Sequence, residues 1–306
     1  VWGNNAKEQP KGNSEADLKE YYRDLKSALE SDKYRKVILN ARLDLTEDDR
    51  NGIQSVFGRS GTLTLNRAVD FDLNGYNITG NVVVSTSDIV DSMRIYDGTG
   101  RGDSTITGKS TNKGNTATLT VDAGKIKDFV IDGVTVRANG EGPAVQLKDV
   151  YVDTFTNKGT IAGKILVTDN KDGFGFDNQG TLSNCALVID SNGEVNLKGD
   201  LKGLKGDDGI GIMVNQAAKV VFATGSDIRG VNISVSGKSA RLILKNATVD
   251  ASTTVIAKSK DVRVELGTIK DIKLLTGPNG EIVAVNANND KLNEQPDIKD
   301  SNILAG

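Results

Sequence analysis

"FTNKGTIAGKILVTD" occupies residues 155–169 and "FDNQGTLSNCALVID" occupies residues 176–190. Seven of the fifteen positions are identical, and the offset that carries Phe155 to Phe176 holds throughout. Each segment reads as short strands broken by turn residues. A period of roughly 21 residues fits one coil of a parallel β-helix, in which every coil supplies three short strands and three turns. Coils stack about 4.8 Å apart, so equivalent residues lie above one another. The offset places Phe155 under Phe176, Asn157 under Asn178, Ile161 under Leu182 and Val167 under Val188. One coil further on either side keeps the Phe column apolar, with Val134 below and Leu197 above. Stacked coils favour like on like, with aliphatic side chains inside and Asn at the corners.

The same texture extends in both directions. From Lys36, "KVILNARLDL", "GTLTLN", "AVDFDLNGYNITGNVVV", "SMRIYDG", "STITG", "TATLTVDAG" and "DFVIDGVTVRANG" alternate with period two and close on Gly, Asn or Asp. Asn-Gly recurs at 51–52, 74–75, 139–140, 192–193 and 279–280. No second long helical pattern follows, which excludes a βαβ sheet with its crossover helices. The unbroken run over 36–285 is long for one sandwich, and no propeller-blade period of about 40 residues is visible. The expected fold is all-β, a right-handed parallel β-helix solenoid.

Only one segment is helical in period. In "SEADLKEYYRDLKSALES", Ser14 is positioned as an N-cap, and Leu18, Tyr21, Tyr22, Leu25 and Leu29 share one face, predicting a helix from about Glu15 to Glu30. A solenoid exposes strand edges at its ends, and this amphipathic helix is placed to cap the first coil. The expected organisation is a flexible N-terminus over 1–13, the capping helix over 14–35, the β-helix over 36–285 and a C-terminal cap or tail over 286–306, together one elongated domain.

Composition narrows the chemistry. The 306 residues contain 34 glycines, one cysteine and no histidine. Absence of histidine removes Ser–His–Asp and Cys–His nucleophilic sites and His-ligated zinc. A net charge of −3 offers no basic field for nucleic acid. No run approaches the roughly 18 apolar residues that span a bilayer. Cys185 lies in an apolar stretch and reads as a buried thiol. The chain opens "VWGNN", without a Met or a signal peptide, and is expected to be a mature or excised piece.

"DLNGYNITG" (72–80) resembles the first coil of many bacterial surface β-helices, in which an alternating strand ends in Leu-Asn-Gly before a short aliphatic strand. The preceding "DLKSALESDKYRKVILNARLDL" is similar to the helix and first strand that accompany it. The likeness covers roughly residues 15–85 and is to the pectate-lyase-like right-handed parallel β-helix, often found in proteins tethered to Gram-positive walls and S-layers. Within that class the tāpirin adhesins, which attach bacteria to cellulose, are a narrower match. The resemblance implies an extracellular protein held at the cell surface by a region outside this chain.

Enzymes of the resembled class cleave polysaccharides with carboxylates or with calcium. Asp207 and Asp208 in "KGDDGIGIMV" are similar to the paired aspartates of polygalacturonase-like hydrolases, which suits a general acid and a water-activating base. The accompanying Asn-Thr-Asp and Gly-His-Gly segments are missing, and the plainer reading is two solvated turn residues. Asp169, Asp172 and Asp177 are close enough in sequence to supply oxygen ligands to calcium, the one cofactor the chain suggests. Their spacing departs from an EF-hand loop, and a surface turn also explains them. For binding without catalysis, Tyr76, Tyr96 and Tyr151, with Trp2, are the aromatics beside turns or polar residues that can stack on sugar rings. Arg101–Asp103 spells Arg-Gly-Asp, the tripeptide that integrins read; such triplets also arise by chance.

The leading expectation is a non-catalytic cell-surface module that binds polysaccharide or neighbouring surface proteins. A lyase or hydrolase acting on an acidic glycan and a structural S-layer or stalk segment are the alternatives.

Overall fold

The computed structural model describes residues 15–46, 53–58, 60–109, 116–122, 125–148, 151–168 and 173–300. Ser14 and Trp2 lie outside them. The helical pattern near the start becomes one helix, Glu15–Glu30, with Tyr21, Tyr22, Leu25, Ala28 and Leu29 buried. Its last carbonyls are not left bare: the Arg67 guanidinium donates to Ala28 O at 2.8 Å and to Leu29 O at 2.7 Å. The Tyr21 hydroxyl accepts from Asn40 N–H at 3.0 Å, which ties the helix to the chain just past the first strand. A short helix that the sequence did not announce, Ile53–Phe57, packs Phe57 edge-on against Tyr22.

Everything else regular among the described residues is strand, and the chain forms two compact units. The first comprises Val1–Val152 with Thr156–Gly163, and the second Asp153–Phe155 with Lys164–Gly306. In the first unit, Lys36–Ile38, Asp70–Asp72, Ile89–Tyr96 and Lys125–Arg137 pair in that order, all in parallel. A second ladder joins Thr62–Leu65, Asn81–Val84, Leu119–Asp122 and Val145–Lys148. Strands of the two ladders alternate along the chain, as coiling requires. The inward column Val37, Phe71, Ile95 and Ile131 is in register and fully buried.

The second unit repeats this plan. One ladder runs Phe174–Asn178, Glu194–Gly199, Lys219–Phe222, Arg241–Ile243, Val262–Glu265 and Ile282–Ala284. The other runs Ile165–Thr168, Leu187–Asp190, Ile212–Val214, Asn232–Val235, Thr254–Ala257, Lys273–Thr276 and Lys299–Asp300. A third line of contact is reduced to isolated parallel bridges, Cys185 to Leu204, Asp200 to Asp227 and Asp227 to Thr248. Val195, Val220, Leu242 and Val264 form one fully buried column, and each such side chain contributes about 1.5–3 kcal/mol of hydrophobic stabilisation.

The twin segments meet as expected at their start and diverge at their end. Phe155 and Phe176 stack with ring centroids 5.4 Å apart, and Leu197 follows Phe176 in register. Val167, however, pairs with Ile189, while Val188 pairs with Leu166. The coil is longer here by a single residue, absorbed near Asn184, which adopts a left-handed φ of 44°. Since faces alternate with period two, that residue decides which aliphatic points inward: Val167 and Ile189 are fully buried. Val134 abuts Gly159, where an added Cβ would meet the Val134 carbonyl.

The C-terminal segment folds back over the last strand of its ladder. The Gln295 side-chain oxygen accepts from Ala284 N–H at 2.6 Å and its amide donates to Ala284 O at 3.1 Å, and Leu292 N–H reaches the same carbonyl. One side-chain amide thus occupies backbone groups that a further strand would otherwise take.

Candidate functional site

The most constructed polar region belongs to the first unit, where strands Asp70–Asp72, Ile89–Tyr96 and Ser104–Thr107 enter or leave turns. Local sequence dictates its shape. In "DLNGY" the backbone reverses through Asn74 and Gly75, both at positive φ (49° and 80°), which Asn and Gly tolerate best. The next strand of the ladder ends at "YDGTGRGD", and here Asp97 organises the turn.

Asp97 is 6% exposed and accepts five hydrogen bonds. Its Oδ1 receives Gly75 N–H at 3.0 Å, Thr99 N–H at 3.0 Å and the Thr99 hydroxyl at 2.7 Å. Its Oδ2 receives Asp103 N–H at 3.0 Å and Ser104 N–H at 3.2 Å. Burial pushes the carboxyl upward, but the bonds from Thr99 and Ser104 more than offset this and hold it below the usual carboxylate range. Asp72 has a similar role in the preceding coil, accepting Asn74 N–H and Gly98 N–H on one oxygen and facing the Lys36 ammonium at 3.3 Å with the other.

Of the tyrosines expected to bind, Tyr96 sits on the outer sheet face, opposite the inward Ile95. Its ring is not open to a sugar. The Arg94 guanidinium covers one face 3.9 Å from the centroid, Lys36 lies 5.4 Å away, and Tyr96 is 7% exposed. A cation–π cover of this kind satisfies the ring quadrupole that a sugar face would have used. Tyr76 is half-buried beside the Asn74–Gly75 turn, its N–H donating to Leu73 O. Tyr151 begins strand Tyr151–Ala162, and its side chain lies outside the described residues.

The catalytic candidates share one solvated turn, and of the three metal candidates only Asp177 lies among the described residues. Asp207 and Asp208 are exposed in the turn closed by Gly206, Gly209 and Ile210. Asp208 Oδ1 accepts Ile210 N–H at 3.0 Å, a turn-stabilising role. Asp169 and Asp172 lie outside the described residues. Asp177 sits on a strand, with Gln179 Nε2 at 2.8 Å and Lys198 Nζ at 3.9 Å from its Oδ2. Among the described residues no group of three or more His, Cys, Asp or Glu is placed to hold a metal. Cys185 is buried, and desolvation pushes its thiol up to about 12.

The second unit carries an ordered charged column on its outer face. Glu194, Lys219, Arg241 and Arg263 occupy successive in-register positions. Lys219 pairs with Glu194 at 2.7 Å, Arg263 with Asp261 at 3.1 Å, and Arg241 and Lys245 both pair with the buried Glu265 at 3.1 and 2.7 Å. Burial pushes Glu265 upward, but these two cations more than offset it and leave the carboxyl below its ordinary range. Backbone carbonyls of Ala287 and Asn289 accept from Arg241 and Arg263, so the C-terminal segment covers some of the column.

Sequence reasoning missed Asp72, Asp97 and Glu265. The signal for the first two was present, as an Asp at a strand end within two residues of Gly or Asn, but it is shared with every solvated turn. No family model, curated protein or solved structure matches the chain.

Proposed function

We propose that this chain is a non-catalytic binding module of a bacterial cell surface, a right-handed parallel β-helix whose outer sheet faces engage polysaccharide. The observation that carries the reading is the in-register columns on those faces. Lys36, Asp70 and Arg94 form one such column in the first unit, and Glu194, Lys219, Arg241 and Arg263 another in the second. Parallel pairing repeats polar groups about every 4.8 Å, close to the rise of one sugar along an extended glycan. Right-handed winding follows from the strong preference of parallel strand–connection–strand units for that hand. Extracellular placement rests on the resemblance of residues 15–85 to wall-associated β-helices.

The test is a pull-down of the intact chain on insoluble cellulose and on purified Gram-positive cell wall. Retention that soluble glycan competes away supports the reading. Failure on both materials removes the binding function.

A further inference from the structure

The turn that joins Ile89–Tyr96 to Ser104–Thr107 carries "TGRGD", and the structure gives its last three residues a context that the sequence alone lacked. Arg101, Gly102 and Asp103 are all exposed. The turn beneath them is fixed from both sides. Asp97 holds Thr99 through its N–H and hydroxyl and holds Asp103 and Ser104 through their N–H groups. Thr99 Oγ1 in turn accepts Arg101 N–H at 3.2 Å, and Gly100 N–H closes on Asp97 O at 3.2 Å. Gly102 adopts φ of +73°, a conformation that strains other residues, and an added Cβ there would meet nothing nearer than 3.7 Å. Gly is therefore demanded by backbone shape rather than by crowding.

The charges on either side of that glycine differ from those on the strands that flank the turn. Several outward charges of this unit are paired: Lys36 with Asp72, Arg94 with Asp70 and Lys127 with Asp91. Arg101 and Asp103 form no ion pair among the described residues, not even with each other. Their Cα atoms are at most about 7 Å apart across the intervening Gly. The turn keeps a guanidinium and a carboxylate close and unneutralised, in solvent, on a backbone already ordered. Such a motif loses little conformational entropy on binding.

The geometry points to the Arg101–Asp103 turn as a docking loop for a receptor that joins a bound divalent cation to an acidic pocket. The cation takes the Asp103 carboxylate as a hard oxygen ligand, and a pocket carboxylate takes the Arg101 guanidinium through paired hydrogen bonds. This activity is separate from glycan binding, which the sheet faces perform, and either can fail alone.

The experiment immobilises the intact chain and titrates a soluble ectodomain of an Arg-Gly-Asp-reading integrin in the presence of manganese. Saturable binding is expected, abolished by a chelator and competed by a short linear Arg-Gly-Asp peptide. Asp103→Glu keeps the charge but moves the carboxylate and is expected to weaken binding about thirtyfold, as for a central anchor residue. Arg101→Ala gives an independent check at the other end of the loop. Absence of cation-dependent binding by the native chain, or binding indifferent to both substitutions, overturns the assignment.

Discussion

Replacing Asp97 by Asn isolates what one buried carboxylate does for the first unit. Asn can present oxygen at only one of the two carboxylate positions. With oxygen in the Oδ1 position it keeps Gly75 N–H, Thr99 N–H and the Thr99 hydroxyl, while its NH₂ faces the N–H groups of Asp103 and Ser104. Asp103 is exposed and its N–H recruits water. Ser104 is fully buried, and leaving its N–H unpaired costs about 1–3 kcal/mol. The three retained bonds lose charge assistance, and partial contact with solvent limits that loss to roughly 1–2 kcal/mol in total. The expected destabilisation is therefore about 3 kcal/mol, or roughly 6–12 °C in Tm for a unit of this size. Urea and thermal unfolding followed by circular dichroism measure it, with Asp103→Asn as a control expected to stay within about 0.5 kcal/mol. The pH dependence has a definite sign. A carboxyl held below its unfolded value stabilises fully above about pH 3.9 and loses that contribution as pH falls through its folded value. The native chain and the Asn variant must therefore converge in acid. A gap under about 1 kcal/mol at neutral pH, or one that does not shrink in acid, refutes the assignment of Asp97 as the charged organiser of the turn.

Three further outcomes follow from the packing. Phe176→Ala removes a fully buried ring stacked on Phe155 and is expected to cost about 3–5 kcal/mol, measured as a shift in the urea midpoint. Cys185, with its thiol raised to about 12, is expected to resist iodoacetamide at mildly alkaline pH in the folded chain and to react at once in denaturant; alkylation at equal rates in both states contradicts its burial. Gln295→Ala strips Ala284 of its amide partner and is expected to cost about 1 kcal/mol and to raise concentration-dependent self-association in sedimentation velocity, since an uncovered strand end invites pairing.

The features of the fold legible in the sequence are those set by local period. Leu25 and Leu29 fall a helical turn apart on the face they share with Tyr21 and Tyr22, and the helix spans Glu15–Glu30 as that pattern predicts. Phe155 and Phe176 are legible for a different reason: a column of rings needs rings above and below. Legibility ends where one residue is added without changing composition. In "TLSNCALVID", Asn184 is a residue type suited to a left-handed backbone. Nothing in the stretch marks the coil as one residue longer, yet that extra residue moves Val188 from the expected partnership with Val167 to one with Leu166. The site fails for a related reason. Alternation puts Tyr96 on the outer face, but its cover comes in some measure from Lys36, on the first strand of the ladder. Pairing across coils depends on register, and register is what the sequence conceals.

That dependence explains where specific chemistry resides in such a chain. Inward columns are mostly aliphatic and aromatic, with buried Ser104 and Asn178 among the polar exceptions, because each residue is packed between its counterparts in adjacent coils. Outward columns are freer but must not stack like charges without relief, and Glu194 beside Lys219 and Glu265 between Arg241 and Lys245 show the resulting neutralisation. Turns obey neither restriction. In the second unit the chain separation between in-register partners changes from coil to coil: Phe176 to Leu197, Leu197 to Phe222 and Val264 to Ala284 are three unequal steps, and the difference is absorbed between strands. Turn segments can therefore lengthen, adopt positive φ and carry unpaired charge without disturbing the stack. The Asp97-bound turn at Arg101–Asp103 has the last two of these properties, and its fixed backbone holds a guanidinium and a carboxylate outward where the stack of strands places no constraint on them.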